Sequence, residues 1–585
     1  MNSSDFFANL QEFNNKYAET LQLLSQKKLD FTSNPLIDMS AIQKIYIEAV
    51  TDFTNNPGKF FEHNLEYASK VSNLMFHFMD KMNGAETKSI YNTSPRDKRF
   101  KDEAWQNSLY FNFVKQFYLM SAEWYRSLVK HLNVSSSQKK LLEFYTEQLL
   151  NAASPTNYAN LNPEVLNELV SSNGKNLLQG IENFLEDLKK SDNLLSISTV
   201  SSSGFKIGEN IASTEGKILF QNDLMQLICY KPLTQTHEVS IFIIPPWINK
   251  YYILDLSNEN SFVKFLVEKG FQVYLVSWVN PDKHFAHKNF EDYLKEGVIE
   301  PINYLRNNFG YKKFNLLGYC LGGTLGASAL AYYEAIQDSP FISSTFLTTL
   351  LDFAEPGDLG LFINKETIGA IKTELDKTGF FNGKYMSSAF SLLRANELIW
   401  SFVINNYLLG RKSLAFDLLY WNADNTNLPA SMHSFYLENM YINNALVRTG
   451  GINLLGKQID ISKINVPSFF LSTIDDHIAP WESTYSGMKF LSKAIKNSVF
   501  CLAGSGHIAG VINSPHNTKY NYWVNDNLKL SSKEWLENAK STEGSWWNYW
   551  VSWLESKSGK VQKAIDYEKI SYIEPAPGSY VKVRN

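Results

Sequence analysis

The sequence predicts an α/β fold with a mostly parallel central sheet, preceded by a separate helical region. Short apolar runs that are typical of strands begin near residue 216 and alternate with helical segments to about residue 503. This alternation indicates parallel strands joined by helical crossovers. Runs such as IFII and FFLSTI suit strands that are buried on both faces. A chain of 585 residues is too long for one core, so we expect at least two domains.

Composition and charge exclude several classes of function. The net charge of -4 gives no indication of nucleic-acid binding. The first residues, MNSSDFFANLQEF, lack the basic start and apolar run of a signal peptide, and no run of 18 apolar residues predicts a transmembrane segment. Three cysteines cannot form a full disulfide framework, and free thiols favour a reducing cytoplasm. No metal-ligand spacing and no phosphate-binding glycine loop is present, so we expect neither a metal nor a bound cofactor.

Residues 1–200 are predicted to form an N-terminal helical domain. Apolar side chains that recur every three or four residues predict one helix over Trp105–Leu132: Trp105, Leu109, Phe113, Phe117, Met120, Trp124 and Leu128. Tyr110, Phe111, Tyr118 and Tyr125 are aromatic residues off this face. They indicate either a core helix that is contacted on two sides, which we favour, or an apolar docking surface.

A Ser-rich linker at 196–203 separates this region from a predicted catalytic domain, residues 205–585. The predicted strands are Gly216–Gln221, Met225–Tyr230, Val239–Ile244, Gly270–Trp278, Phe314–Leu317, Thr345–Phe353, Val466–Thr473 and Ser498–Ala503. The segment between the predicted strands Thr345–Phe353 and Val466–Thr473 is longer than an ordinary connection between two parallel strands. It contains helical patterns and several aromatic residues, so we predict a cap or lid insertion at about 354–462.

The stretch KKFNLLGYCLGGTLGASALAYY, residues 312–333, contains the strongest candidate for a catalytic motif. A short apolar strand leads into Gly318-Tyr319-Cys320-Leu321-Gly322, and a helix with small residues follows. Strand, sharp turn and helix around G-x-nucleophile-x-G form the nucleophile elbow of α/β-hydrolases. Cys320 is therefore the candidate nucleophile. The structural alternative is a glycine-rich turn with a small buried cysteine.

A thiol nucleophile needs a base, and four histidines follow Cys320 in the chain. We select His507, because the loop AGSGH directly follows the last predicted strand, where this fold carries its catalytic histidine. His433 falls within the predicted cap, and His477 follows the strand before the last one, where the acid rather than the base is expected. His516 lies in a polar loop and is expected to be solvated.

The acid is expected after the preceding strand, where Asp475 and Asp476 compete. The order Cys320, Asp476, His507 matches that of α/β-hydrolases.

An acyl-transfer site also needs two N–H donors for the oxyanion. One is expected to be the backbone N–H of Leu321, directly after the nucleophile. The other is expected from the loop Pro-Pro-Trp-Ile-Asn at 245–249. The prolines have no N–H, so either Trp247 or Ile248 is the second donor.

These motifs together resemble the class I polyhydroxyalkanoate (poly-3-hydroxybutyrate) synthases, of the α/β-hydrolase superfamily. The matching segments lie in family order between about residues 150 and 525: TEGKILFQN, YKPLT, PPWINKYYILDL, LVSWVNPD, GYCLGGT, TTLLDFA, FDLLYWNADNTNLP, DDHIAPW and GSGHIAGVINSP. The first 150 residues are similar only in being helical. Trp247 departs from the family pattern PPCINKYY, which has a cysteine there, and this change concerns the shape of the pocket entrance.

The resemblance implies that Cys320 is the acylated nucleophile, His507 its base and Asp476 the catalytic aspartate, which either orients His507 or activates a substrate hydroxyl. Asp255 is a weaker candidate for second-shell support. The implied substrate is (R)-3-hydroxyacyl-CoA, of short chain such as 3-hydroxybutyryl-CoA, and the implied product is a growing polyester. The resemblance also implies a homodimer, association with granule proteins and a place at the surface of cytoplasmic polyester granules.

Two other functions fit the same fold. A thiol-dependent thioesterase or depolymerase would pass the acyl group to water, whereas a synthase must keep water from the acyl-enzyme. A catalytically inactive protein that coats granules would need none of the three candidate residues, so Cys320, Asp476 and His507 argue against it.

Overall fold

The computed structural model describes residues 3–27, 34–36, 39–85, 87–94, 97–190, 197–200, 204–412, 415–516 and 519–584. The chain divides into two compact units. We call residues 1–201 with 388–414 the helical unit, and residues 202–387 with 415–585 the sheet unit. The middle of the predicted cap thus groups with the N-terminal helices. The cap at 354–462 and the predicted domain boundaries stay predictions, and half of the Ser-rich linker, residues 196 and 201–203, lies outside the described residues.

The helical unit contains eight α-helices in its described N-terminal part: α1 (Ser3–Gln26), α2 (Met39–Asn55), α3 (Pro57–Met82), α4 (Ala104–Asn107), α5 (Leu109–His131), α6 (Ser136–Ala152), α7 (Pro163–Ser171) and α8 (Lys175–Lys190). Leu74 and Phe78 of α3 pack with Met120 of α5 in one of its buried clusters. The later segment adds π-helices at Asn396–Trp400 and Val403–Leu408.

Close contacts join that later segment to α8 within the helical unit. The Asn176 side chain donates a hydrogen bond of 2.9 Å to the carbonyl of Leu408. A Cβ at Gly180 would lie 1.9 Å from the carbonyl oxygen of Tyr407, so only glycine permits this approach. Two segments that lie far apart in the sequence therefore share one packed unit.

The predicted helix Trp105–Leu132 is wrong at one point, because Ser108 divides it into α4 and α5. Ser108 has an extended backbone (φ -81°, ψ 128°), and its hydroxyl accepts a hydrogen bond from the N–H of Phe111 as an N-cap. The predicted stripe is therefore not one buried face: Trp105 is buried, whereas Leu109 and Phe117 are exposed.

Of the aromatic side chains off the predicted face, Tyr110 and Tyr125 are also exposed, whereas Tyr118 is buried and Phe111 is half-buried. The docking interpretation of these residues stays a prediction.

The sheet unit contains the strands β1 (Gly216–Gln221), β2 (Met225–Tyr230), β3 (Gln235–His237), β4 (Ser240–Ile244), β5 (Val273–Trp278), β6 (Phe314–Tyr319), β7 (Phe341–Leu347), β8 (Phe380–Phe381), β9 (Leu428–Pro429), β10 (Ile452–Leu454), β11 (Lys457–Ile459), β12 (Ser468–Thr473), β13 (Val499–Ala503), β14 (Asn521–Val524), β15 (Lys540–Glu543), β16 (Val561–Lys563) and β17 (Glu574–Pro575). Eleven of them form one sheet in the order β15-β14-β13-β12-β7-β6-β4-β5-β2-β1-β17.

The six central strands, from β13 to β5, are parallel, and the strands at both edges pair antiparallel. Every residue of β4, β5, β6 and β12 is buried, as expected for strands covered by helices on both faces. The predicted α/β-hydrolase fold with a mostly parallel sheet is confirmed.

One predicted strand, Thr345–Phe353, is placed too late in the sequence. The observed strand β7 begins at Phe341 and ends at Leu347. Its parallel register with β6 starts at Phe341 opposite Phe314, and Thr348 has a φ of 42°, which is incompatible with an extended strand. The apolar residues after Leu347 are therefore buried in a loop rather than in the sheet.

Further helices accompany the sheet: α9 (Phe262–Glu268), α10 (Phe290–Leu294), α11 (Glu300–Phe309), α12 (Leu321–Ile336), α13 (Lys365–Thr378), α14 (Gly383–Leu393, which continues into the helical unit), α15 (Asp417–Asn422), α16 (Ala430–Tyr436), α17 (Trp481–Met488), α18 (Ser532–Glu537) and α19 (Trp546–Glu555). In the described parts of the chain, no helix is both long and apolar enough to cross a membrane. The carboxyl ends of the parallel strands β6, β12 and β13 lie at one edge of the sheet, and each leads into a predicted catalytic residue.

Candidate active site

Cys320 lies at the sharp turn between β6 and α12 and is half-buried. Its backbone has a φ of 52° and a ψ of -118°, a conformation that residues other than glycine rarely adopt. Such a strained residue between a buried strand and a helix holds the side chain outside both elements.

The glycines around Cys320 are required by close backbone contacts. A Cβ at Gly318 would lie 2.4 Å from the Cα of Gly323. A Cβ at Gly322 would lie 2.0 Å from the carbonyl oxygen of Ile244, at the end of β4. The Gly-x-Cys-x-Gly pattern therefore reflects how tightly the turn packs against the helix and the neighbouring strand.

The other two cysteines have surroundings that disfavour reactivity. Cys229 in β2 and Cys501 in β13 are fully buried free thiols. Burial raises the pKa of Cys229 to about 12 and also raises the pKa of Cys501. Both therefore stay protonated near neutral pH, and the thiolate is the nucleophilic form.

His507 and Asp476 form a buried pair. The Nδ1 atom of His507 lies 2.7 Å from Oδ2 of Asp476. The other carboxylate oxygen accepts hydrogen bonds of 2.9 Å from the backbone N–H groups of Ile478 and Ala479. These bonds fix the carboxylate, and the carboxylate in turn fixes the orientation of the imidazole ring.

The electrostatics of the pair extend to Cys320. Burial alone would lower the pKa of His507, but the neighbouring charges of Asp476 and Cys320, and hydrogen bonds with both side chains, raise the pKa well above its usual value. Tyr319 holds the same loop, because its hydroxyl donates to the carbonyl of His507 at 3.2 Å. The structure therefore brings Cys320, His507 and Asp476 together.

The remaining candidates have other surroundings. Asp475 directs its backbone N–H to the carbonyl of Ser505, and the carboxylate that contacts His507 is that of Asp476. His433 is buried in α16, and burial lowers its pKa to about 3. The carbonyl of His477 accepts the N–H of Asp358.

Asp255 does not join the three residues. It is buried and its carboxylate accepts hydrogen bonds from the hydroxyls of Thr214 (2.5 Å) and Ser261 (2.6 Å). Burial raises its pKa, and these hydrogen bonds oppose the increase. The geometry favours a structural role for Asp255 over the predicted role of supporting the candidate catalytic residues.

The two predicted sources of oxyanion donors lie against each other. Gly322, in the first turn of α12, contacts the carbonyls of Ile244 and Pro245, where the Pro-Pro-Trp-Ile-Asn loop begins. Among the described residues, the backbone N–H groups of Leu321, Trp247 and Ile248 have no hydrogen-bond acceptor. Free N–H groups close to a nucleophile are what an oxyanion hole requires.

Aromatic side chains surround this loop. The Trp247 ring is buried and lies 5.2–6.2 Å, between ring centroids, from four others: Trp278, Phe290, Tyr293 and Tyr436. Trp278 also donates its indole N–H to the carbonyl of Pro245 at 2.9 Å. The tryptophan that replaces the family cysteine is therefore integrated into a packed cluster.

Tyr436 and Tyr441 are site residues that the sequence analysis missed. Both hydroxyls have a raised pKa, mainly through burial and in part through the nearby charge of Cys320. Phe353 packs edge-on against both rings. The many aromatic residues of the predicted cap were a signal, but nothing in their spacing indicates which of them reach Cys320.

Two protein-family models match this chain. Residues 96–266 match the family described as the poly-beta-hydroxybutyrate polymerase (PhaC) N-terminus, and residues 253–513 match the alpha/beta hydrolase fold family. The poly(3-hydroxyalkanoate) polymerase subunit PhaC of Rhizobium meliloti is 37% identical over 95% of this chain and 91% of its own length.

Two further relatives are similar over nearly as much of the chain. The poly(3-hydroxyalkanoate) polymerase of Methylorubrum extorquens is 39% identical over 90% of this chain and 88% of its own. The polymerase subunit PhaC of Cupriavidus necator is 38% identical over 86% and 85%, respectively. At this identity and coverage, the chain belongs to the poly(3-hydroxyalkanoate) polymerase family.

Proposed function

We propose that this protein polymerises (R)-3-hydroxyacyl groups from CoA thioesters into a polyester and releases CoA, through a covalent acyl-Cys320 intermediate. Membership of the polymerase family supports the reaction. The single observation that carries the proposed mechanism is the strained elbow thiol beside the buried His507–Asp476 pair. The short-chain substrate, 3-hydroxybutyryl-CoA, is part of the proposal.

Acylation begins when His507 accepts the thiol proton of Cys320. The sulfur then attacks the thioester carbonyl, and a C–S bond forms as the carbonyl oxygen becomes negatively charged. When this intermediate collapses, the bond to the sulfur of CoA breaks, and His507 gives its proton to the departing CoA thiolate. The raised pKa of His507 supports this role, because the imidazolium is stabilised between two negative groups.

Elongation uses the same groups in the reverse direction. The 3-hydroxyl of an incoming or chain-end acyl group loses its proton to His507, and its oxygen attacks the acyl-Cys320 thioester. An ester bond forms while the C–S bond breaks, and His507 gives the proton to the departing Cys320 thiolate, which restores the free thiol. The hydrogen bond of 2.7 Å between Asp476 and Nδ1 of His507 supports an orienting role for Asp476 rather than direct contact with the hydroxyl.

The surroundings of the enzyme are also part of the proposal. We infer that Tyr436 and Tyr441, which interact with Cys320, and Phe353, which packs against both, limit access of water to the acyl-enzyme. We infer a homodimer at the surface of cytoplasmic polyester granules, in contact with granule-associated proteins. The exposed apolar side chains Phe76, Met79 and Met82 on α3 support the granule contact.

The test incubates the purified protein with (R)-3-hydroxybutyryl-CoA and measures free CoA together with insoluble polyester. We expect both products from the wild type. His507→Gln should slow the first, acylating turnover by roughly 10²–10⁴-fold, which is the usual contribution of a general base. CoA release with free 3-hydroxybutyrate and no polymer would instead identify a thioesterase. Absence of any CoA release would indicate an inactive granule-coating protein.

A further inference from the structure

Thr426 connects the segment after α15 to the loop that carries the proposed oxyanion donors. The residue is 4% exposed. Its hydroxyl accepts a hydrogen bond of 2.8 Å from the backbone N–H of Asn249 and donates one of 2.7 Å to the carbonyl of Trp247. The two hydrogen bonds thus lie on either side of Ile248. One side chain fixes both neighbours of a candidate donor.

The geometry of the peptide group and these hydrogen bonds together determine the direction of the Ile248 N–H. The carbonyl of Trp247 and the N–H of Ile248 belong to the same peptide group, which is planar and trans, so they point in opposite directions. Because the carbonyl points to Thr426, the N–H of Ile248 points away from Thr426 and stays free. Asn249 follows with a φ of 63°, a conformation that needs support from its surroundings in a residue other than glycine.

Thr426 is itself held from both sides. The backbone N–H of Asn427, the next residue, donates a hydrogen bond of 2.9 Å to the side-chain oxygen of Asn280. Asp424, two residues before Thr426, accepts a hydrogen bond of 2.9 Å from the hydroxyl of Tyr252. The hydroxyl of Thr426 is therefore fixed in space and can impose its position on the loop.

From this geometry we propose that Thr426 is a positioning residue of the oxyanion hole, and that it selects Ile248 rather than Trp247 as the second donor beside Leu321. This inference rests on the proposed function. The negative charge on the carbonyl oxygen exists only in the transition state and in the intermediate. Loss of a correctly placed donor should therefore lower kcat and leave KM nearly unchanged.

The test compares Thr426→Val with Thr426→Ser. Valine has almost the same shape but can neither accept from Asn249 nor donate to Trp247, whereas serine keeps both hydrogen bonds. An oxyanion donor contributes about 10²–10³-fold to kcat, so we expect Thr426→Val to lose on the order of 10²-fold in CoA release from 3-hydroxybutyryl-CoA. Thr426→Ser should retain most of the activity.

Thr367 provides a matched control in α13. It is also 4% exposed, and its hydroxyl likewise accepts from a backbone N–H, that of Asn364 (3.0 Å), and donates to a carbonyl, that of Phe362 (2.7 Å). Thr367→Val removes the same chemistry at a place that the proposed mechanism does not use. We expect its kcat to match that of the wild type.

Alkylation of Cys320 by iodoacetamide separates positioning from collapse of the site, because this reaction needs the thiolate but no oxyanion hole. Thr426→Val should be alkylated at the wild-type rate. The proposal is overturned if Thr426→Val keeps full CoA release, if Thr426→Ser is as slow as Thr426→Val, or if alkylation falls as much as CoA release. CoA release by Cys320→Ala would overturn the proposed function instead, independently of Thr426.

Discussion

Three thiols in this chain differ in what surrounds them. Cys320 is half-buried at a strand-to-helix turn, whereas Cys229 and Cys501 are enclosed within strands and have raised pKa values. The difference comes from backbone position, because all three have the same chemistry. Of the three, Cys320 alone combines partial exposure with a neighbouring imidazole, that of His507.

Cys320→Ala should therefore lower CoA release by roughly 10³-fold or more, as loss of a nucleophile does in enzymes that act through a covalent intermediate. Cys229→Ala and Cys501→Ala should remain active, because neither sulfur takes part in the chemistry. The measurement is CoA release from 3-hydroxybutyryl-CoA, with circular dichroism to verify folding. Acylation that depends on Cys229 or Cys501 would show that another thiol is the nucleophile.

The raised pKa of His507 predicts a pH-dependent contribution to stability. The folded-state pKa lies above the ordinary value of 6.5, so the protonated ring stabilises the fold. This contribution is complete below pH 6.5 and is lost as the pH rises through the raised folded-state pKa. The urea midpoint of the wild type should therefore exceed that of His507→Gln by more at pH 6 than at pH 10. A difference that grows with pH would contradict the pairing of His507 with Asp476.

At the scale of elements, the end of β4, the turn at Cys320 and the first turn of α12 act as one assembly. The Cβ that alanine would add at Gly322 lies 2.0 Å from the carbonyl oxygen of Ile244. This obstacle is backbone, so the helix or the strand end must move. The Pro-Pro-Trp-Ile-Asn loop follows directly after β4 and would move with it.

Gly322→Ala should therefore lower both the thermal midpoint and CoA release. A matched control is Gly369→Ala in α13, where no atom lies within 4 Å of the added Cβ. Alanine there should be neutral or stabilising by about 1 kcal/mol, because alanine has the higher helix propensity. Calorimetry and CoA release test both variants. A fully active Gly322→Ala would contradict the close packing at the elbow.

At the scale of the whole molecule, the helical unit exposes apolar side chains that its own core does not use. On α3, Phe76, Met79 and Met82 are 64%, 57% and 70% exposed. Each is within four residues of the next, so they share one face of the helix. Exposed apolar patches commonly mark interaction sites, and the proposed polyester product is an apolar surface.

The triple variant Phe76→Ser, Met79→Ser, Met82→Ser should bind polyester granules more weakly while releasing CoA at nearly the wild-type rate. Its fold should persist, because the three side chains are exposed. Co-sedimentation with purified granules measures the binding. Leu233→Ser with Val561→Ser, two exposed apolar residues of the sheet unit, is the control. Equal granule binding by the triple variant and the wild type would assign attachment to another surface.

The sequence by itself determined the fold class and the identity of the candidate site. Apolar runs mark the buried strands, since a strand covered on both faces must be apolar throughout. The Gly-Tyr-Cys-Leu-Gly pattern marks the elbow, and the strand ends before Asp476 and His507 mark the candidate acid and the candidate base. These signals are local, because each lies within one strand and the turn that follows it. Such signals are visible in one sequence because they do not depend on which distant segments pack together.

Only the tertiary structure decided features that depend on contacts between distant segments. Ser108 separates α4 from α5, although apolar residues recur at helical spacing on both sides of it. Residues 388–414 pack in one unit with the N-terminal helices. The hydrogen bond between the carboxylate of Asp476 and the ring of His507 joins two loops that are 31 residues apart. The link from Thr426 to Asn249 spans 177 residues. The physical reason is that these hydrogen bonds and packing contacts join residues far apart in the chain. Such contacts leave no periodic pattern in the sequence from which they could be predicted.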